Sequence, residues 1–125
     1  MLEITEVFSS FSVDDLDSAR EFYEKKLGLQ VTEGSMGILN VEPVEGFRVV
    51  IYPKQNHIPA TYTVLNFVVD DIDDAVDTMT QSGIWFEQYE GLLQTDEKGI
   101  ARQGNRAMAW FKDPAGNFLS LMQEG

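Results

Sequence analysis

Apolar and polar positions alternate along Phe8 to Val13, with Phe11 and Val13 out of phase with Ser10 and Ser12. A period of two is the mark of a strand with one buried face. The spacing then turns helical. Leu16, Ala19, Phe22, Tyr23 and Leu27 fall on one face of a helix. The same switch returns later, as a strand over Val64 to Val69 followed by a helix with Ile72, Ala75, Val76 and Met79 on one face. Asp15 and Asp71 stand where an N-cap carboxylate can accept the free amide hydrogens of the first turn. Their charge also complements the helix dipole. Gly28 and Gly83 are placed to end the two helices in the left-handed conformation.

Short strands are expected after each helix. In the first half they are Val31–Glu33, Gly37–Val41 and Phe47–Tyr52; in the second, Trp85–Gln88, Ala107–Lys112 and Phe118–Gln123. Asp113-Pro114-Ala115-Gly116-Asn117 reads as a tight turn joining the last two. Pro53 to Tyr62 reads as a short extended connector. Tyr89 to Arg106 is left as one long irregular loop, and loops of that length are usually functional or mobile.

The two halves also match residue by residue. Phe11 aligns with Phe67, Val13 with Val69, Asp14-Asp15 with Asp70-Asp71, Leu16 with Ile72, Asp17 with Asp73 and Ala19 with Ala75. After one deletion Gly28 meets Gly83. An internal repeat fixes architecture before any single residue does. The expectation is one α+β domain over residues 1–125, built from two βαβββ half-modules at about 5–53 and 62–125.

Val13-Asp14-Asp15-Leu16, the Phe22-Tyr23 pair, Leu27-Gly28-Leu29 and the hairpin Trp110-Phe111-Lys112-Asp113-Pro114-Ala115-Gly116-Asn117 occur in that order. Together they resemble the vicinal oxygen chelate superfamily of glyoxalases, bleomycin-resistance proteins and extradiol dioxygenases. The resemblance spans nearly the whole chain. It implies a curled mixed sheet around a cleft, often completed by a second chain. It also implies a divalent metal held by His, Gln or Glu from the first and fourth strand of each module. Those positions align here with Phe8, Val50, Val64 and Ser120. Two are valine and one phenylalanine, without donor atoms, and serine is a poor ligand for Zn, Mn, Fe or Ni. What the resemblance then implies is the family's metal-free branch, which includes drug-sequestering resistance proteins.

Composition narrows the partners. The chain has 125 residues, of which 43% are hydrophobic, enough to bury a core. It contains no cysteine, which excludes disulfides and thiolate metal sites. The net charge is −12, with nine scattered basic residues, so nucleic acid and anionic membranes would be repelled. The start, MLEITEVFSSFSV, has early acidic residues and no long apolar run, unlike a signal peptide. No stretch approaches the ~18 apolar residues of a membrane span. A cytoplasmic protein is expected.

Strand alternation assigns faces. Phe11, Val13, Phe47, Val49, Ile51, Leu119 and Leu121 are expected in the core. Phe8, Ser10, Ser12, Arg48, Val50, Tyr52, Val64, Asn66, Val68, Phe118, Ser120 and Met122 are expected toward the cleft. The ligand-binding candidates are Ser10, Ser12, Arg48, Tyr52, Asn66, Trp110 and Ser120. They would line a mainly apolar pocket with a few polar groups. Arg48 could anchor an anion or pair with a carboxylate. Ser10, Ser12 and Asn66 could orient a polar ligand or simply be sheet residues. Trp85 and Trp110 could stack on a planar ligand or belong to a core or subunit interface.

His57, the single histidine, is either a base over the cleft or an exposed loop residue. The acidic residues Asp14, Asp70, Asp73 and Asp74 could suggest a hard-metal site, but their recurrence at helix starts favours caps. Arg102 and Arg106, with Asp96, Glu97 and Lys98, form either a charged lid or a solvated loop. The functional expectation is a metal-independent, cofactor-free binding protein for a small organic molecule, and a homodimer is expected. The alternatives are a cofactor-independent isomerase or lyase using Arg48 with Glu33 or Glu87, a glyoxalase- or dioxygenase-like enzyme with a metal site elsewhere, and a protein-interaction module.

Overall fold

A computed structural model describes all 125 residues. The chain forms two compact units, Met1–Ile58 and Pro59–Gly125. The first contains β1 (Ser9–Val13), α1 (Leu16–Arg20), β2 (Gln30–Glu33), β3 (Leu39–Val44) and β4 (Phe47–Pro53). Its strands lie in the order β1-β4-β3-β2. β1 runs parallel to β4, and the other neighbours are antiparallel. The second contains β5 (Thr63–Val68), α2 (Ile72–Gln81), β6 (Ile100–Gln103), β7 (Arg106–Lys112) and β8 (Phe118–Gln123). Its order is β5-β8-β7-β6, again with a parallel first pair and antiparallel neighbours beyond it. The two sheets therefore repeat one topology, as the sequence repeat predicts.

Local chemistry explains the helices. The Asp15 carboxylate accepts from the backbone N–H groups of Asp17 and Ser18 at the start of α1. Asp71 accepts from Asp74 at the start of α2. Gly28 and Gly83 take φ of 71° and 92° and stop them. The first helix continues over Glu21–Lys26 with π-type winding, where the Leu27 N–H reaches the Phe22 carbonyl. The wider turn allows two consecutive aromatics to point inward. Phe22 and Tyr23 are both buried and meet edge to face at 5.1 Å. Each such side chain contributes roughly 1.5–3 kcal/mol of burial.

The core faces follow the alternation at Phe11, Val13, Val49, Ile51, Leu119 and Leu121, which are all buried. Phe47 does not, being 45% exposed. The β3–β4 register shifts between Val41 and Val44, where Phe47 begins its strand, so the face expected from simple alternation is lost at that end.

The larger correction lies in the second unit. Trp85–Gln88 is not a strand. It contributes one isolated bridge, Phe86 to Phe111, and the Glu87 N–H donates to the Trp110 carbonyl at 2.8 Å. The fourth strand is instead Ile100–Gln103, inside the stretch expected to be irregular. It pairs with β7 through a turn at Gly104-Asn105, with Gln103 opposite Arg106. The connector still packs tightly. A Cβ on Gly99, which has φ of +93°, would come within 2.7 Å of Phe86 Cβ.

Candidate functional site

The seven candidate residues fall on the two sheets separately. In the first unit, Ser10 is exposed and lies across from Val50. Ser12 lies across from Tyr52, and its Oγ is 2.7 Å from His57 Nδ1. His57 is therefore half-buried and bonded to β1, not a free loop side chain. Arg48 donates from Nε to Glu6 at 3.2 Å and from Nη1 to Asn40 Oδ1 at 3.0 Å. Its guanidinium sits 4.1 Å from the Phe8 ring centroid, a favourable cation–π distance. Pairing with a carboxylate, the plainer of the two expectations for Arg48, is what the structure shows.

In the second unit, Asn66, Ser120 and Trp110 form one cross-strand row over β5, β8 and β7. Ser120 is fully buried, and its hydroxyl donates to Asn66 Oδ1 at 2.5 Å. Trp110 is half-buried and meets Tyr89 edge to face at 5.7 Å. Burial pushes the Tyr89 hydroxyl pKa up, with the Glu87 carboxylate adding to the effect. Trp85 is 69% exposed, so it is not a core residue of its unit.

Next to Trp110 opens a groove of about 490 Å³. Met108 and Met122 share its floor, Leu92 and Leu93 come from the long loop, and Gln103 and Arg106 supply polar groups. Met108, Gln103 and the two leucines were not among the sequence candidates. The Gly104-Asn105 turn between Ile100 and Trp110 was the available signal, since a two-residue Gly-Asn loop between alternating runs marks a hairpin. Recognising it would have placed Gln103, Arg106, Met108 and Trp110 on one sheet face.

An ionic cluster ties the long loop down. Asp73 accepts from Arg102 at 2.6 Å and Lys98 at 3.2 Å, and Lys98 also reaches Asp77 at 2.9 Å. Asp96 accepts from the backbone of Lys98 and Ile100. Asp73 is thus an ion-pair hub as well as a first-turn acid. The hydrogen bond from Arg102, then that from Lys98, lowers its carboxyl pKa. The hydrogen bond to Asp77, with that to Asp73, raises the Lys98 value, and the hydrogen bond to Asp73, with Asp96 adding, raises that of Arg102. A depressed carboxyl contributes stability above its unfolded value and loses it as pH falls through the folded one. The pairs are exposed, so they fasten the loop more than they stabilise the unit. Asp73→Asn is expected to speed amide exchange around residues 96–100 at neutral pH with little change in melting temperature. Unchanged exchange would show that the loop holds without these pairs.

The positions that the resemblance gives to a metal do not fit one. Phe8, Val50 and Val64 offer only hydrocarbon, and the Ser120 hydroxyl is buried against Asn66. No group of three or more His, Asp or Glu side chains is placed to hold an ion. The carboxylates considered as bases are also in ion pairs: Glu33 with Arg20 at 2.8 Å and Glu87 with Lys112 at 3.9 Å.

Two four-stranded mixed sheets, each with its first strand parallel to its last and a helix between first and second, define a protein of paired βαβββ modules. The chain belongs to the Glyoxalase/Bleomycin resistance protein/Dioxygenase superfamily, whose family model matches residues 7–121. Solved structures share its fold. One is TnmS3, an antibiotic binding protein from Streptomyces sp. CB03234, with 21% identity, TM-score 0.71 and coverage of 99% of this chain and 100% of that one. Another is the fosfomycin resistance protein FosX from Listeria monocytogenes, with 13% identity, TM-score 0.72 and coverage of 99% and 96%. A third is a glyoxalase/bleomycin resistance protein/dioxygenase from Alicyclobacillus acidocaldarius, with 18% identity, TM-score 0.70 and coverage of 95% and 90%. No curated protein matches the sequence. No helix is long and apolar enough to cross a membrane.

Proposed function

We propose that the protein binds a small, flat organic molecule without a metal, in the groove beside Trp110. The observation that carries this reading is the groove itself. Its volume of about 490 Å³ lies in the range of small-molecule sites, and Trp110, Met108 and Met122 offer one aromatic and two polarizable surfaces. Arg106 and Gln103 at the same groove would orient polar substituents. Leu92 and Leu93 would cover the ligand from the loop that Asp73 fastens. The antibiotic-binding description of TnmS3 agrees with such a role. The unsuitable donors at Phe8, Val50, Val64 and Ser120 support metal independence.

The test uses Trp85→Phe protein, in which Trp110 is the one remaining tryptophan. Planar aromatic antibiotics are titrated after treatment with EDTA. Saturable quenching of Trp110 is expected, with the compound recovered unaltered. Trp110→Ala should weaken binding tenfold or more, the usual cost of removing a central aromatic anchor. A requirement for added Zn, Mn, Fe or Ni would overturn metal independence. Chemical conversion of the compound would favour the isomerase or lyase reading, and no binding across the panel would favour an interaction module.

A further inference from the structure

A second groove, of about 240 Å³, lies on the first unit and is lined by Gln30, Thr32, Asn40, Val41, Glu42 and Arg48. Arg48 is set in a defined pose there. Phe8 lies under its guanidinium and Asn40 fixes Nη1. The remaining contact, Nε to Glu6 Oε2 at 3.2 Å, is a single-point pair. Guanidinium is shaped for two parallel bonds to a carboxylate, so this pairing uses half of its capacity. The Glu6 side chain is 60% exposed and belongs to an N-terminal run outside any helix or strand. Glu6 is thus an internal carboxylate resting on a preorganised binder, and an exposed pair of this kind is worth a factor of about five at most.

The same groove holds the opposite charge. Glu42 is exposed and takes part in no ion pair. A simple anion would meet Glu42 and a chain of net charge −12, both repulsive. A zwitterion carries no net charge and can satisfy both ends. The volume equals roughly eight waters at ~30 Å³ each, which suits a molecule of about eight non-hydrogen atoms. We propose that this groove binds a small zwitterion of the α-amino-acid class. Its carboxylate replaces Glu6 on Arg48, its ammonium meets Glu42, and Gln30 and Thr32 face its side chain. The site shares no lining residue with the Trp110 groove and does not depend on that reading.

The test follows the Arg48 Nε–H resonance by NMR while glycine, L-serine, L-threonine and L-valine are added to the full chain. Propionate and propylammonium serve as one-ended controls. At least one amino acid should shift the resonance saturably, and Glu6→Ala should tighten its binding about fivefold. Binding to Glu6→Ala protein, followed by calorimetry, should fall about tenfold or more when Glu42→Gln or Arg48→Met is added. Arg48→Lys should recover part of the loss. Melting temperatures close to that of the parent would show that the variants remain folded. Three results would each overturn the proposal: no amino acid binding to Glu6→Ala protein, undiminished binding after Arg48→Met, or propionate binding as tightly as the amino acids.

Discussion

Asp113→Ala is expected to lower the melting temperature by about 10 °C, from a loss of about 3 kcal/mol. Asp113 and Asn117 are both buried in the β7–β8 turn. The Asp113 carboxylate accepts from the Asn117 backbone N–H at 2.8 Å and from its Nδ2 at 3.2 Å. The Asp113 N–H donates to the Asn117 carbonyl, and the Gly116 N–H to the Asp113 carbonyl. Asn117 Oδ1 also receives the Ala60 N–H at 3.4 Å. Alanine would leave the Asn117 donors buried without this acceptor, and unsatisfied buried donors cost about 1–3 kcal/mol each. Asp113→Asn should lose less, because its side-chain oxygen can still accept one of the two bonds. Thermal melts of the two variants check the ranking, and equal losses would mean that the charge, not the acceptor, matters.

Phe111→Ala should cost about 3–5 kcal/mol, the usual range for removing a core aromatic. Phe111 is fully buried, stands across from Leu119, and packs on Phe86 with ring centroids 5.4 Å apart. It holds the Ile84–Gln88 connector against the second sheet through the bridge at Phe86. Phe111→Leu fills more of the space and should cost clearly less. Denaturant titration gives both values; a loss under about 1 kcal/mol for alanine would mean that the site collapses around the cavity.

Much of the fold was legible because repeat, periodicity and caps agreed. Asp15 and Asp71 cap as their positions require, and Phe118–Gln123 is a strand at the expected bounds. The failure at Trp85–Gln88 has a clear cause. Ile84 and Phe86 are buried while Trp85 and Gln88 are exposed, so the segment carries a strand's alternation without a strand's ladder. The true strand, Ile100–Gln103, shows one fully buried apolar side chain, at Ile100, and hides within a polar stretch.

The sites were less legible. Trp110 could be singled out by type and Arg48 by charge, but their surroundings depend on long-range pairing. Glu6, Phe8 and Asn40 meet Arg48 from other parts of the chain. Ser12 and His57 are 45 residues apart, and nothing in local spacing announces their bond. The Trp110 groove depends on the β6–β7 hairpin, whose first strand lies in the stretch that reads as irregular.

The parallel pairings also set an order of events in folding. Ser10 finds Val50, and Asn66 finds Ser120, only after most of each unit has been made. The β3–β4 and β7–β8 hairpins close short loops and can form first, since loop-closure entropy grows with separation. β1 and β5, each first in its unit, therefore wait longest for a partner. Until β4 and β8 arrive, their backbone edges are open to strands of other newly made chains.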